Sequence, residues 1–272
     1  MADLDAPTNL KSIQDGALCN LKCALDGLSR AGISKYIIIG GWCPYLNRGN
    51  SYHPGTIDVD ILFKEAVKPY YLRTFIETMR SMDYFTSAKH LFQLLRVFDI
   101  AGQRLCFNID LLHTGTADQS DELFVEQLDL NIRLTAAEEA SIKQLSIVQL
   151  DSKVLFDEKL FDVLLVDQGL RANVVSFTGM FLTKLASCLK VKRDRDSYDI
   201  YLGFTEGKID FGKLSHVLKT HESIRKQYER FVSFLGDPVS SQTFNARVAK
   251  FSTASTDPSS EVLSFLSNGV HL

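Results

Sequence analysis

The chain has 272 residues, 45% hydrophobic and 23% charged, with a formal net charge of −3 at pH 7. That is enough for one large domain or two closely packed ones with a real core. No apolar run approaches the ~18–20 residues that span a bilayer, and the opening MADLDAPTNL is acidic and polar, unlike a secretory leader. The expectation is a cytoplasmic protein with no membrane partner. The five cysteines (Cys19, Cys23, Cys43, Cys106, Cys188) are scattered and odd in number, which fits reduced buried thiols and no zinc pattern.

In chain order, residues 9–31 place Leu10, Ile13, Ala17, Leu21, Ala24, Leu25 and Leu28 at helical spacing, and Gly32 stops the helix. Lys35 to Ile39 is a short apolar run ended by Gly40-Gly41, a buried strand entering a tight turn. Trp42 to Leu46 starts a helix, and Arg48 to Gly55 is a polar loop. Thr56 to Phe63 alternates as a strand, residues 69–81 read as helix, and Leu91–Ile100 and Arg104–His113 form a hairpin around Ala101-Gly102-Gln103. The stretch 117–170 is mixed, with a strand near Ser146–Leu150 and a helix near 156–167. Helical patterns follow at Phe177–Lys192, 196–203 and 211–234, and Ser252–Ser260 reads as a low-complexity linker.

Asp58-Val59-Asp60 carries the sharpest chemistry. On a strand, residues two apart share a face, so two carboxylates sit side by side while Ile57, Val59 and Ile61 face a core. Such like charges need a cation between them. Magnesium, a hard ion that takes one or two carboxylates plus substrate phosphates, fits. A third carboxylate, Asp110, lies on the apolar run Phe107–Leu112 and needs a partner. If its strand lies beside that of Asp58, the three would hold two magnesium ions that clamp an in-line phosphoryl displacement. Gly40-Gly41 would let backbone amides approach a phosphate ahead of a helix N-terminus.

This ordered set, Ile37-Ile-Ile-Gly-Gly41, Asp58-Val-Asp60 and Asp110, resembles the signature of the DNA polymerase β-like nucleotidyltransferase superfamily over residues 35–113. The stretch Lys184 to Asp199 resembles the C-terminal motif of AbiEii-type nucleotidyltransferases, which include toxins of type IV toxin–antitoxin and abortive-infection systems. The resemblance implies that Lys184 contacts the triphosphate and that Arg195 and Asp199 complete the site. Residues 184, 188, 192, 195 and 199 share one face if that helix is continuous. Where many relatives carry Ser or Thr after Gly-Gly, this chain has Trp42, as antibiotic nucleotidyltransferases can. The Arg of toxin relatives before the Asp pair has no counterpart beyond Arg48 or His53.

The reading is therefore an α+β protein with a nucleotidyltransferase fold. Residues 1–115 form the catalytic core with a mixed sheet, 116–250 a mainly helical domain completing the nucleotide site, and 251–272 a linker and tail. Asp58, Asp60 and Asp110 would ligate two Mg²⁺, with Asp110 also the base. Gly40, Gly41, Trp42, Lys184, Arg195 and Asp199 would bind the NTP, Lys184 also serving catalysis. The expected acceptor is an RNA (tRNA) or protein hydroxyl, and an antitoxin is the expected protein partner. Residues 184–250 hold 13 basic and 8 acidic side chains, which permits RNA. The rival readings are a small-molecule, antibiotic-type nucleotidyltransferase and a non-catalytic nucleotide-binding module. No Ser-His-Asp context or P-loop is present.

Overall fold

The computed structural model describes residues 10–47, 52–64, 68–87, 93–114, 125–128, 144–149, 151–167, 169–191 and 193–272. Arg48, the strand start at Leu91, Lys192 and most of the mixed stretch 117–143 lie outside the described residues. The elements are α1 (Ile13–Arg30), β1 (Tyr36–Ile39), α2 (Trp42–Asn47), β2 (Val59–Phe63), α3 (Pro69–Ser81), β3 (Phe85–Thr86), β4 (Gln93–Ile100), β5 (Gln103–Thr114), β6 (Val125–Leu128), β7 (Gln144–Gln149), α4 (Lys153–Asp157), β8 (Phe161–Asp167), β9 (Leu170–Val175), α5 (Phe177–Lys184), α6 (Asp194–Thr205), α7 (Phe211–Thr220), α8 (Glu222–Gly236), α9 (Pro238–Ala249) and α10 (Pro258–Gly269). The protein is thus α+β, a mixed sheet followed by a mainly helical C-terminal half. The chain forms two compact units, one of Met1–Gly40, Gly55–Leu150 and Val163–Val174, the other of Gly41–Pro54, Asp151–Asp162 and Val175–Leu272.

The first unit is built on the sheet, ordered β3-β4-β5-β2-β1-β9-β8, with β7 also on β5 and β6 on β7. Its centre is mixed: β1 runs antiparallel to β2, β2 parallel to β5, and β1 parallel to β9. Central strands are covered on both faces, which is why Ile37, Ile38, Val59, Ile61, Leu62, Ile109 and Leu111 are all buried. Helix α1 starts at a capping box in which Ser12 and Asp15 satisfy each other's amides. Two glycines let it lie close to its neighbours. A methyl group at Gly16 would strike Ile100 and Phe107, and one at Gly27 would strike Met79 and Phe75.

The second unit is held by packed aromatics. Phe181 meets Phe204 at 5.2 Å and Phe231 at 5.5 Å, and Phe231 meets Phe244 at 6.3 Å between ring centroids, all in the edge-on arrangement that aromatic quadrupoles favour.

Three expectations are corrected. The helix expected at 156–167 is α4 followed by strand β8. Lys159 takes a positive φ of 50°, and Leu160 N–H donates to Leu155 O at 2.9 Å, closing a Schellman-type stop. The helix expected at Phe177–Lys192 ends at Lys184, and residues 185–191 turn. Arg247 donates to the freed carbonyls of Cys188 (2.6 Å) and Lys190 (3.1 Å), which removes the polar cost of the break. The supposed linker 252–260 runs into helix α10, whose Pro258, Val262 and Leu266 are buried. Helix α9 and strand β9 were not predicted.

Candidate functional site

The acidic residues gather in the first unit where β2 and β5 run side by side. The two parallel strands are in register from Val59–Ile109 to Phe63–His113, which makes Asp60 and Asp110 direct cross-strand partners. Neighbouring side chains on one face of a sheet lie ~4.5–5.5 Å apart at Cβ, so two carboxylates are presented together. Asp58 lies one residue ahead of β2, two positions from Asp60. All three are half-buried. Ile57, expected on the core face, is instead 44% exposed, because strand geometry begins only at Val59.

Two neighbours shape this acidic surface. Gly40 follows Ile39, the register partner of Asp60, and takes a φ of +76°. A Cβ there would run into Asp60 Oδ2. Glycine is therefore required twice, for the backbone conformation and for the space the carboxylate occupies. Asn108, two residues before Asp110, donates from Nδ2 to Asp110 Oδ1 at 2.7 Å, which fixes that carboxylate's rotamer.

The donor set is hard and anionic, as magnesium requires. Among the described residues no group of three or more His, Cys, Asp or Glu side chains converges closely enough to hold an ion by protein ligands alone. Magnesium usually keeps waters and substrate phosphates in its shell and takes one or two carboxylates from the protein. The Asp60–Asp110 pair has that composition.

The residues of the C-terminal motif lie in the second unit. Lys184, at the end of α5, is 6% exposed. Its ammonium donates to Asp196 Oδ1 at 2.8 Å and to Asp199 Oδ2. Ser187 Oγ donates to Asp196 Oδ2 at 2.9 Å, and His53 Nε2 lies 3.0 Å from Asp199 Oδ1. Burial pushes the Asp199 carboxyl up, but Lys184 and the hydrogen bond with His53 outweigh it and hold the group below the usual carboxylate range. Burial likewise depresses the Lys184 ammonium, and Asp199 and Asp196 overcome it, leaving a net upward shift. Both shifts favour the charged forms. Asp196 thus binds Lys184 from the first turn of α6. Arg195 is half-buried on the same helix. Because the chain turns between α5 and α6, Lys184 and Asp199 meet as neighbours on two helices and not as points along one continuous face.

Gly40 belongs to the first unit, Gly41 and Trp42 to the second. Gly41 O accepts from Tyr45 N–H at 3.3 Å and opens α2. Trp42 is 0% exposed and meets Tyr45 edge-on at 5.6 Å. Its indole is part of the core. His53, a candidate stand-in for the arginine of toxin relatives, is a buried partner of Asp199. Asn108, Asn20 and Arg247 were missed. An Asn two before an Asp on a strand is a readable signal for the first; the others act over distances that no local pattern encodes.

Among the described residues no helix is long and apolar enough to cross a membrane. No protein-family model matches the sequence, and no curated protein aligns with it significantly. Among solved structures, the chain is similar to an antigenic nucleotidyltransferase-like protein from Paracoccidioides brasiliensis, with 15% identity, a TM-score of 0.43, and coverage of 87% of this chain and 94% of that one. It is also similar to JHP933 from Helicobacter pylori, with 11% identity, a TM-score of 0.44, and coverage of 96% and 93%.

Proposed function

We propose that this chain is a magnesium-dependent nucleotidyltransferase of the DNA polymerase β-like superfamily and AbiEii type, moving a nucleoside monophosphate from an NTP to a hydroxyl on RNA, such as a tRNA end, or on protein. The observation that carries the proposal is the register of Asp60 with Asp110, with Gly40 seated against the Asp60 carboxylate. Asp58, Asp60 and Asp110 would hold the metal. Bound magnesium would supply charge neutralisation on the phosphates and a more acidic acceptor hydroxyl. Asp110 would take the proton of that hydroxyl. Its oxygen then bonds to the α-phosphorus, the bond from that phosphorus to the bridging oxygen breaks, and pyrophosphate leaves. Lys184, Arg195 and Asp199 are assigned to the nucleotide: two of the three Lys184 N–H donors are held by Asp196 and Asp199, and the Arg195 fork suits a phosphate. A toxin role, with an antitoxin partner, is part of the same proposal.

The test is incubation with Mg²⁺ and each α-³²P-labelled NTP, with total tRNA, with cell lysate, or with no acceptor. Label transfer is expected, and it should fall at least about a hundredfold in Asp58→Ala/Asp60→Ala protein, since direct ligands matter more than the outer-shell groups worth 10–100-fold. Transfer that survives in the variant would sink the metal assignment. Absence of transfer and of metal-dependent NTP binding in the wild type would sink the site.

A further inference from the structure

Behind the acidic face sits a buried asparagine that the sequence pattern passes over. Asn20 lies midway along α1 and is 0% exposed; Gly16 of the same helix packs against Phe107, which on strand β5 faces away from Asp110. Its Nδ2 donates twice, to Ile57 O at 3.3 Å and to Asn108 O at 3.0 Å. Its Oδ1 accepts from Tyr84 Oη at 2.6 Å. These contacts fix the amide orientation, because the flipped form would set its oxygen against two carbonyl oxygens.

The place of those two carbonyls gives the contacts their meaning. The β2–β5 ladder begins at Val59–Ile109. Ile57 and Asn108 lie just upstream of it, where β2 and β5 do not yet pair, although Asn108 is already paired on its other edge with Leu95 of β4. Asn20 bridges the two backbones there and extends the junction past the end of the ladder. Asp58 is the residue between Ile57 and the first paired position. Asn108 is the residue whose side chain donates to Asp110. One amide therefore ties the backbone on either side of the carboxylate set to a single rigid helix.

We infer that Asn20, held by Tyr84, is a positioning residue that sets the separation of Asp58 and Asp110 and so the geometry offered to a divalent cation. The inference rests on the metal-site reading above. Asn20 touches neither metal nor nucleotide; it acts through the Ile57 and Asn108 backbone. Groups of this outer kind tune metal affinity by about 10–100-fold.

The test uses the full-length protein, with Mn²⁺ as the probe, its binding followed by electron paramagnetic resonance in the presence of a non-hydrolysable NTP analogue. Variants are Asn20→Ala, Tyr84→Phe, and Leu28→Ala as a control for loss of stability, since Leu28 is equally buried on α1 but has no side-chain group that could hydrogen-bond either carbonyl. Asn20→Ala should weaken Mn²⁺ by at least about tenfold and Tyr84→Phe by less, while Leu28→Ala leaves affinity unchanged at comparable or greater loss of melting temperature. Without metal, amide exchange over residues 58–60 and 109–110 should speed up in Asn20→Ala and not selectively in Leu28→Ala. Should Asn20→Ala fail to fold, Tyr84→Phe carries the test. Wild-type Mn²⁺ binding that Asp60→Asn/Asp110→Asn abolishes, with Asn20→Ala and Tyr84→Phe indistinguishable from Leu28→Ala, overturns this inference alone. Binding indifferent to Asp60 and Asp110 overturns the metal site and this inference with it.

Discussion

Gly40 shows how much one missing carbon decides. A left-handed conformation costs an L-residue ~1–2 kcal/mol, and at this position the added methyl would also displace the Asp60 carboxylate. Gly40→Ala should therefore lose about 1–2 kcal/mol in urea denaturation, and it should lose more nucleotidyl transfer than that destabilisation alone explains. A variant with the stability loss and wild-type transfer would show that Gly40 is needed for the turn only. At this scale the carboxylates were readable, because a charge between apolar neighbours on a strand stands out and the period of two assigns its face. Asn20 was not. It reads as one polar interruption in an amphipathic helix, and its partners lie 37 and 88 residues away. Lys184 was readable as a residue but not in its surroundings, since its carboxylate partners depend on a chain reversal that the helical periodicity conceals.

At the scale of elements, the helical C-terminal half is punctuated by aspartates. Asp210, Asp237 and Asp257 each accept from a backbone amide of the helix they open, and the last two are followed by proline at the first helical position. Asp257 also accepts from Asn245 at 2.9 Å and from Ser259 at 2.9 Å, and hydrogen bonds led by those from Ser260 and Asn245 hold its carboxyl at about 2, against an ordinary 3.8. Because the folded value is the lower one, this stabilisation is present above pH ~4 and fades as pH falls through about 2. Asp257→Ala should cost about 1 kcal/mol near neutrality, with the gap to wild type narrowing as thermal melts are moved from about pH 5 to about pH 2; a gap independent of pH would show that the carboxylate charge is not what stabilises α10. Asp257-Pro258 fits a helix start, but the Ser- and Thr-rich composition around it reads as a linker and masks that pattern. The misreading of β8 has another origin. A short aliphatic run fits strand and helix alike, and the choice falls to Lys159 in a left-handed turn, a conformation no lysine advertises.

For the whole molecule, the proposed chemistry predicts a linkage. A ligand that binds only the folded protein at a hundred times its Kd adds about 2.7 kcal/mol, which for a chain of this size is a rise of roughly 5–10 °C in apparent Tm. Magnesium with the preferred NTP should produce that rise in differential scanning fluorimetry, and Asp60→Asn/Asp110→Asn protein should show none of it. A flat response to all four nucleotides with Mg²⁺ would count against the site as a whole. The architecture at this scale was legible in outline, strands first and helices after, because hydrophobic period separates the two. The return of β9 to the sheet beside β1 was not, since Leu170–Val175 carries no local sign of a partner more than a hundred residues upstream.

That late return has a consequence for how the gene can change. The first unit takes its last strand from Val163–Val174, and the second takes pieces as early as Gly41–Pro54. A ribosome making the chain cannot complete the sheet unit until β9 has emerged, so β1 waits with one edge open through most of the synthesis of that unit. A recombination breakpoint anywhere from Gly41 to Val174 severs one unit or both. The two units are therefore inherited together, and neither can be carried into another protein as a contiguous cassette.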